Sequence, residues 1–434
     1  MKMYNHDSAG INEQGHLTFG GADTVSLAKE YGTPLYVMDE DMIRSTISMY
    51  RSSIEKFYGG NGLVCYASKA FSCKQIYRIC QEEGIGVDTV SMGELYTAMS
   101  VGFDPHKICY HGNNKTADEL KYALSCGVDR IVVDSFRELD LLDEIAGQMG
   151  VKAGILLRLC PGIDAHTHDF IRTGSIDSKF GFAIELGDAD RAVDAALSKK
   201  NLRLRGIHAH IGSQIFELEP FEHEAEVLLS YLAGIRKKTG TLLTEMNLGG
   251  GFGIRYTGED DPIAYDKYME SVSGVVKSTC GRLGIPAPFI LIEPGRSIVG
   301  AAGITLYEVG NVREIKDIRT YVSVDGGMTD NIRFALYGSK YDFTIANRAG
   351  DSQTETVTVA GRCCESGDLL GRDVPLQKCA PGDILAVFST GAYNYSMASN
   401  YNRVPRLPVV MLRNGQPKLA VRRESMDDLI RNDV

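Results

Sequence analysis

The sequence predicts an α/β protein, namely a (β/α)8 barrel of the TIM type followed by a mostly antiparallel C-terminal β domain. From about residue 63 to residue 296, short apolar runs alternate with amphipathic stretches, which is typical of parallel strands joined by crossover helices. Eight such units in roughly 240 residues is the count of a closed barrel. After about residue 300, short β-like runs are separated by turns rich in Gly, Pro, Asn and Asp. A doubly wound open sheet is the alternative fold.

Each predicted barrel strand is a short apolar run bounded by polar residues. The eight runs are Leu63–Ala67, Ile85–Val90, Lys107–His111, Arg130–Asp134, Ala153–Leu159, Gly206–Ile211, Thr244–Leu248 and Phe289–Glu293. The helical stretches between them include Gly93–Val101, Thr116–Ser125, Ser135–Gln148, Pro220–Lys238 and Asp261–Leu283. Thr116 with Glu119 three residues later has the pattern of a capping box, so we predict that a helix begins there.

The second domain is predicted from the β-like runs near the C-terminus. These runs are Thr305–Val312, Thr320–Val324, Glu355–Gly361, Ile384–Phe388, Val409–Leu412 and Lys418–Val421. The first 35 residues are also β-like, at Thr18-Phe19 and Leu35-Tyr36-Val37, and could join this domain. We therefore predict a barrel over residues 36–303 and a β domain formed by residues 1–35 and 304–434.

Composition and charge narrow the class of protein. The 434 residues are 44% hydrophobic and 24% charged, which is ordinary for a soluble globular chain, and a net charge of -10 disfavours nucleic acid and anionic membranes as partners. No apolar stretch approaches the roughly 18 residues that a membrane span needs. The polar N-terminus lacks the pattern of a signal peptide, and none of the 10 cysteines forms a Cys-x-x-Cys pair. We expect a cytoplasmic protein with a small-molecule substrate.

Residues able to do chemistry follow most of the predicted strands. The C-terminal ends of the strands form the working face of such a barrel. Lys69 follows the first run, and a desolvated lysine there is a candidate Schiff-base former, although a solvated lysine is the commoner case. The residues at the other strand ends are Asp88 with Ser91, His111 with Asn113, Ser135, Arg158, His210 with Ser213, Gly249-Gly250-Gly251, and Glu293 with Arg296. Their convergence on one face is hard to explain by packing alone.

Two of these strand ends suggest contacts to a ligand. The triple glycine at 249–251 follows the seventh run, where phosphate sites of such barrels are favoured, although it could also be a flexible turn. Ser213 could add a hydroxyl donor. Glu293 ends an apolar strand and needs a partner, which is either Arg296 in an internal salt bridge or a protonated ring nitrogen.

A metal site is the alternative for two histidine pairs. His208-Ala209-His210 lies in a predicted strand, and His166-Thr167-His168 has the same spacing. Since no lysine-plus-carboxylate metal constellation is completed, we predict that the site holds no metal. We expect His208 to be a satisfied core histidine, while His210, nearer the strand end, is the better candidate for a functional ring.

These motifs together resemble the fold-type III pyridoxal-phosphate decarboxylases, which have an alanine-racemase-like barrel and a C-terminal β domain, and within them the diaminopimelate decarboxylase family. The similar segments run along nearly the whole chain: Tyr66-Ala67-Ser68-Lys69-Ala70, His111-Gly112-Asn113-Asn114-Lys115, His166-Thr167-His168, Ser178-Lys179-Phe180-Gly181, His208 to Gln214, Asn247 to Gly251, Glu293 to Arg296, Cys364 to Asp368 and Gly391-Ala392-Tyr393. One departure is Phe334, where the family commonly has proline.

The resemblance implies pyridoxal 5'-phosphate as cofactor and a role for each site residue. Lys69 would bind the cofactor aldehyde, and Glu293 would keep the pyridine nitrogen protonated, so that the ring can accept electrons. His210 would stack on the ring. The other residues expected to bind the cofactor are Asp88, Ser213, Gly249, Gly250, Gly251, Gly295, Arg296 and Tyr393.

The resemblance also implies the reaction, which is the decarboxylation of meso-2,6-diaminopimelate to L-lysine and CO2, the last step of lysine biosynthesis. Cys364 would be the acid that reprotonates the α-carbon, and with Glu365 it would come from the partner chain of a homodimer with shared active sites. The residues expected to bind substrate are Arg296, Arg333, Tyr337, Glu365 and Tyr393. The alternatives are a related decarboxylase of D-ornithine, D-lysine or a carboxylated polyamine, and a non-catalytic regulator that binds the cofactor.

Overall fold

The N-terminal part of the chain packs against the C-terminal strands. The structure, a computed structural model, describes residues 6–163 and 178–434, so that His166-Thr167-His168 lies outside the described residues. An antiparallel sheet of β1 (Ala9–Ile11), β2 (Leu17–Phe19) and β3 (Ala22–Asp23) is followed by α1 (Thr24–Tyr31), β4 (Leu35–Asp39) and α2 (Glu40–Tyr58). Apolar side chains of β2 and β4 share one buried cluster with Ile304 and Leu306.

Eight parallel strands close into a barrel, which confirms the predicted fold class. The ring consists of β5 (Gly62–Ala67), β6 (Gly86–Thr89), β7 (Ile108–Tyr110), β8 (Ile131–Val133), β9 (Ala153–Cys160), β11 (Leu202–His208), β12 (Glu245–Asn247) and β13 (Phe289–Ile292), with β10 (Phe182–Ala183) paired to β9 outside it. Pairing of β13 with β5 completes the ring. Each of the eight strands overlaps the apolar run that predicted it.

The sixth barrel strand begins earlier than predicted. The apolar run starts at Gly206, but β11 starts at Leu202. Arg203 and Arg205 interrupt the apolar pattern, and both form ion pairs with Asp129. A prediction based on runs of apolar residues does not detect a strand segment that contains charged residues.

Helices cover the outside of the barrel. They are α3 (Lys74–Glu82), α4 (Met92–Met99), α5 (Ala117–Cys126), α6 (Phe136–Met149), α7 (Asp188–Ser198), α8 (Glu219–Thr239) and α9 (Tyr265–Leu283), while the short α10 (Arg296–Val299) lies at the C-terminal end of the barrel, after β13. The capping box at Thr116 and Glu119 is present at the start of α5, as predicted. The start of α9 was predicted four residues too early, because Asp260 instead accepts the N–H groups of Tyr256 and Thr257 in a turn.

The second sheet is mostly antiparallel, as predicted. Its strands after the barrel are β14 (Gly303–Ile315), β15 (Arg319–Val324), β16 (Phe343–Ile345), β17 (Glu355–Ala360), β18 (Leu369–Leu376), β19 (Ile384–Val387), β20 (Val409–Arg413) and β21 (Gln416–Val421), with helices α11 (Arg333–Tyr337) and α12 (Met426–Ile430). β4 lies in this sheet between β14 and β20. The division into residues 36–303 and 1–35 plus 304–434 stays a prediction.

The segment after β19 places Tyr393 at the C-terminal ends of the barrel strands. Tyr393 has a positive φ of 65°, and its N–H donates to the carbonyl oxygen of Ala70 at 2.7 Å, directly after Lys69. Gly391 permits this approach, because a Cβ there would clash with the carbonyl oxygen of Val299. Among the described residues, no helix is long and apolar enough to span a bilayer.

Candidate active site

A cavity of about 480 Å³ lies at the C-terminal ends of the barrel strands. Such a cleft is large enough for a cofactor and a small substrate. Most of the sequence-predicted site residues line it: Lys69, Asp88, His210, Ser213, Gly250, Gly251, Glu293, Gly295, Arg296, Arg333, Tyr337 and Tyr393. The fold therefore brings together residues that are up to 324 positions apart in the sequence.

Lys69 and Asp88 lie on one wall of the cavity. Lys69 belongs to a 3-10 turn, Ser68–Ala70, that directly follows β5, and its side chain is exposed to the cavity. Asp88 on β6 is buried, and among the described residues its Oδ1 atom has no hydrogen-bond partner, with Nε2 of His111 lying 3.9 Å away. Burial raises the pKa of the Asp88 carboxyl, although its interactions with His111 and Lys69 oppose this shift.

Glu293 is held by three side chains at the end of β13. Its Oε1 atom accepts from Nε2 of His111 at 2.8 Å and from Nδ2 of Asn247 at 2.6 Å, and its Oε2 atom accepts from Nε2 of His208 at 3.2 Å. Burial acts to raise the pKa of Glu293, but the two histidines outweigh it and keep this pKa well below its usual range. Glu293 is therefore a carboxylate fixed in position at the cavity wall.

His208 at the end of the sixth barrel strand and His210 just after it are neutral rings. Burial lowers the pKa of His208 to about 4. Burial, reinforced by the positive charges of Lys69 and Arg158, lowers the pKa of His210 well below its usual range. The N–H of Gly250 donates to Nδ1 of His210 at 3.2 Å, which places the His210 proton on Nε2. His210 therefore presents an uncharged ring to the cavity, suited to packing against another ring.

The glycine run forms a floor that only glycines can form. A Cβ at Gly249 would lie 2.7 Å from the carbonyl oxygen of Ala209, and one at Gly250 would clash with the carbonyl oxygen of Glu293. Gly249 lies beneath the lining, where its N–H donates to Asn247 Oδ1 at 2.9 Å. The loop therefore brings backbone without side chains to the cavity wall at Gly250 and Gly251, as phosphate-binding glycine loops do.

Two buried arginines face the same cavity. Arg296 donates to Ser213 Oγ at 2.9 Å and to the hydroxyl of Tyr256, and Arg333 donates through Nε to the hydroxyl of Tyr341 at 3.1 Å. Among the described residues, no carboxylate forms an ion pair with either guanidinium. A salt bridge of Arg296 with Glu293, one of the two alternatives for that carboxylate, does not form. The cavity therefore carries two positive charges available to an anionic ligand.

Cys364 and Glu365 do not reach the cavity of their own chain. Both are exposed on the loop between β17 and β18. The N–H of Cys364 donates to Asn402 Oδ1 at 2.9 Å, and Glu365 Oε1 accepts from the N–H of Gly367 at 3.1 Å. One chain alone thus lacks these two predicted contributions to the site.

Three residues that hydrogen-bond Glu293 were not predicted to do so from the sequence: His111, His208 and Asn247. His208 was expected to be a core histidine, but it donates to Glu293, and no role was given to Asn247 or, beyond its position at a strand end, to His111. The signal was available, since each lies at the end of a barrel strand. His111, His208 and Glu293 have ligand atoms within 4.8 Å of one another, but hydrogen bonds already join them. The absence of a metal stays a prediction.

The comparisons with known proteins agree with this site. Residues 42–300 match the family described as pyridoxal-dependent decarboxylase, pyridoxal binding domain. Diaminopimelate decarboxylase of Bacillus methanolicus is 49% identical over 424 residues, which cover 98% of each chain, and that of Bacillus subtilis (strain 168) is 47% identical over 432 residues, which cover 100% of this chain and 98% of the relative. The chain belongs to the diaminopimelate decarboxylase family.

A solved structure of this family shares the whole architecture. Diaminopimelate decarboxylase from M. jannaschii, in co-complex with L-lysine, superposes with a TM-score of 0.91 at 33% identity, covering 100% of this chain and 99% of that one. The barrel, the second sheet and their order along the chain are therefore those of diaminopimelate decarboxylases.

The site fits the pyridoxal cofactor on which decarboxylases of this family depend. Asp88 has a buried oxygen that accepts no hydrogen bond from the described residues, and Glu293 is an ionised carboxylate at the wall. Gly250 and Gly251 bring backbone without side chains to the same cavity wall, and a Cβ at either would clash with neighbouring backbone. A lysine, an anchored carboxylate and a glycine-rich loop are groups that can hold pyridoxal phosphate.

Proposed function

We propose that the protein is a carboxy-lyase that converts meso-2,6-diaminopimelate to L-lysine and CO2 in the cytoplasm, as the last step of lysine biosynthesis. The observation that carries this proposal is the pair of buried arginines, Arg296 and Arg333, which pair with no carboxylate of the described residues and face the cavity that also contains Lys69 and Glu293. The names of relatives at 47–49% identity support the same reaction.

The residues around the cofactor have distinct tasks. Bound pyridoxal phosphate supplies an electron sink for the pair left on the α-carbon when CO2 departs. Lys69 would hold the cofactor through its amine, and Glu293, fixed by His111 and His208, would supply a negative charge to its ring nitrogen. His210 would pack against the ring. The residues that complete the cofactor site are Asp88, Ser213, Gly249, Gly250, Gly251, Gly295, Arg296 and Tyr393.

We infer that Cys364 returns a proton to the α-carbon at the active site of a second copy of the chain. Its exposure on a loop outside its own cavity supports this arrangement, because a group that must contact the reacting carbon cannot act from there within one chain. The protein is then a homodimer whose two active sites each combine Lys69 of one copy with Cys364 and Glu365 of the other.

Specificity follows from the far end of the substrate. Meso-diaminopimelate carries a second carboxylate and a second ammonium at its L end, and a planar guanidinium binds a carboxylate through two parallel hydrogen bonds. Arg296, Arg333 and Tyr337 bind this carboxylate, and Glu365 binds the ammonium. A substrate without a distal carboxylate leaves both guanidinium groups without a counter-ion, at a cost of several kcal/mol by order of magnitude.

The reaction is tested by its products. Cofactor-loaded protein is incubated with meso-diaminopimelate, and CO2 and the enantiomers of lysine are quantified. We expect one CO2 per lysine and L-lysine as the product, because the distal arginines hold the L end away from the bond that breaks. Release of D-lysine, or of CO2 without lysine, would show that the substrate is oriented differently or is another compound.

The Arg333→Ala substitution tests the distal contact. We expect KM for meso-diaminopimelate to rise by about 10- to 100-fold, since hydrogen bonds to a charged group are lost, while kcat changes by only a few-fold. Steady-state CO2 release measures both constants. Arg413→Ala, at a largely exposed arginine, is the control and should leave both unchanged. Unchanged kinetics in Arg333→Ala would mean that the distal carboxylate lies elsewhere.

A further inference from the structure

Two tyrosines lie behind the arginines and do not line the cavity. Tyr256 and Tyr341 are 8% and 6% exposed, so that their hydroxyl groups cannot rely on bulk water for hydrogen bonds. The hydroxyl of Tyr341 accepts from Nε of Arg333 at 3.1 Å, and the hydroxyl of Tyr256 accepts from Nη1 of Arg296. Each arginine is therefore anchored from behind by one phenol.

The two tyrosines form one packed unit. Their rings meet edge to face, with centroids 5.5 Å apart and planes at 87°. The Tyr256 ring also lies within 6 Å of both guanidinium groups, at 5.6 Å from Arg296 and 5.9 Å from Arg333. The backbone N–H of Tyr256 donates to Asp260 at 3.0 Å, which ties the unit to its loop. Movement of one tyrosine therefore disturbs the position of both arginines.

The choice of a phenol as partner matters for the charge of the site. A buried arginine needs hydrogen-bond acceptors, and the usual partner is a carboxylate, which also cancels its charge. A tyrosine hydroxyl accepts the hydrogen bond but is neutral. Arg333 uses Nε on Tyr341 and Nη2 on Ser339 Oγ at 3.4 Å, while its Nη1 has no acceptor in the described part of the protein. The guanidinium is fixed in orientation but keeps donors and charge for a ligand.

We propose that Tyr341 and Tyr256 are positioning residues that set the preference of the site for a ligand with a distal carboxylate. They orient Arg333 and Arg296 without neutralising them, so that the carboxylate of the ligand is the counter-ion that the site lacks. This inference rests on the proposed function, since it assumes that the two arginines bind the distal carboxylate. It adds that the preference depends on hydroxyl groups that never touch the substrate.

The test uses two competitors that differ by one group. L-lysine and cadaverine have the same chain and amines, but only L-lysine has a carboxylate. Their inhibition constants are measured against meso-diaminopimelate with the cofactor-loaded wild type, Tyr341→Phe and Tyr256→Phe. We expect each substitution to raise the inhibition constant of L-lysine by roughly tenfold, as for the loss of a hydrogen bond to a charged group. The inhibition constant of cadaverine should change by less than about twofold.

Two further variants separate positioning from general destabilisation. Tyr58→Phe removes another buried hydroxyl, which donates to the carbonyl oxygen of Pro288 at 2.8 Å, and should change neither constant. Tyr341→Gln restores a neutral acceptor and should recover part of the L-lysine affinity lost in Tyr341→Phe. Phenylalanine keeps the ring and its packing, and the two tyrosines are tested independently, so that poor folding of one variant leaves the other informative.

The outcomes separate this inference from the proposed function. An equal loss of affinity for L-lysine and for cadaverine would overturn the inference, because the tyrosines would then act on the whole site. Unchanged L-lysine affinity in both Tyr→Phe variants would overturn it as well. A wild type that binds cadaverine as well as L-lysine would instead contradict the proposed function, whatever the variants show.

Discussion

Replacement of Lys69 by alanine is expected to lower the rate of CO2 release from meso-diaminopimelate by about 10⁴-fold or more, since the covalent anchor of the cofactor is lost. The visible absorbance band of the cofactor-loaded protein should disappear with it. We expect both effects because Lys69 is exposed to the cavity next to the carboxylates Asp88 and Glu293. Absorbance spectra and single-turnover CO2 release measure the two effects.

A matched variant controls for the loss of a lysine. Lys152 is exposed on the protein surface, and Lys152→Ala should keep both the absorbance band and the rate. Lys69→Ala protein that retains the band, or that turns over within tenfold of the wild type, would assign the covalent anchor to another lysine.

Replacement of Cys364 by alanine is expected to lower turnover by about 10²- to 10⁴-fold, the range for loss of a general acid. Binding of the cofactor should be nearly unaffected, because Cys364 is proposed to contact the α-carbon of the substrate and is not among the residues proposed to hold the cofactor. Cofactor titration monitored by absorbance, together with CO2 release, separates the two properties. Cys363→Ala is the adjacent control. Turnover within a few-fold of the wild type in Cys364→Ala would exclude this thiol as the acid.

Mixing the two inactive variants tests whether the sites are shared. A dimer of one Lys69→Ala chain and one Cys364→Ala chain has one intact site, made from Lys69 of the second chain and Cys364 of the first. Random exchange of subunits should therefore restore about a quarter of the wild-type activity, since half of the dimers are mixed and each has one intact site. A mixture no more active than its components, after exchange has been demonstrated, would mean that each chain builds its own site.

The barrel was predictable because its signal is local. The strands consist mainly of apolar residues that are buried on both faces, and each of the eight runs overlaps a strand of the ring. The prediction failed where polar residues belong to a strand, as at Leu202–Arg205, or where a strand is short or rich in turn residues. β16 and β18 were missed for that reason, and Gly371 and Pro375 interrupt the apolar pattern of β18.

The site was predictable only in part, because strand ends show which residues meet but not which of them bond. Lys69, Asp88 and Glu293 converge as the barrel geometry requires. That His208 and Asn247 both hold Glu293 depends on the side-chain directions of adjacent strands, β11 and β12, which a single sequence does not contain. The phenol partners of Arg296 and Arg333 come from segments outside the barrel strands, and no spacing rule predicts them.

The most direct measurement of the central claim is a comparison of kcat/KM for CO2 release from meso-diaminopimelate, D-lysine, D-ornithine and L-ornithine by the same cofactor-loaded protein. A site whose buried arginines require a distal carboxylate should prefer meso-diaminopimelate over each of the others by about 10⁴-fold, because the arginines are otherwise unpaired. Equal or better turnover of D-lysine or an ornithine would contradict the account of Arg333 and Arg296, and with it the proposed reaction.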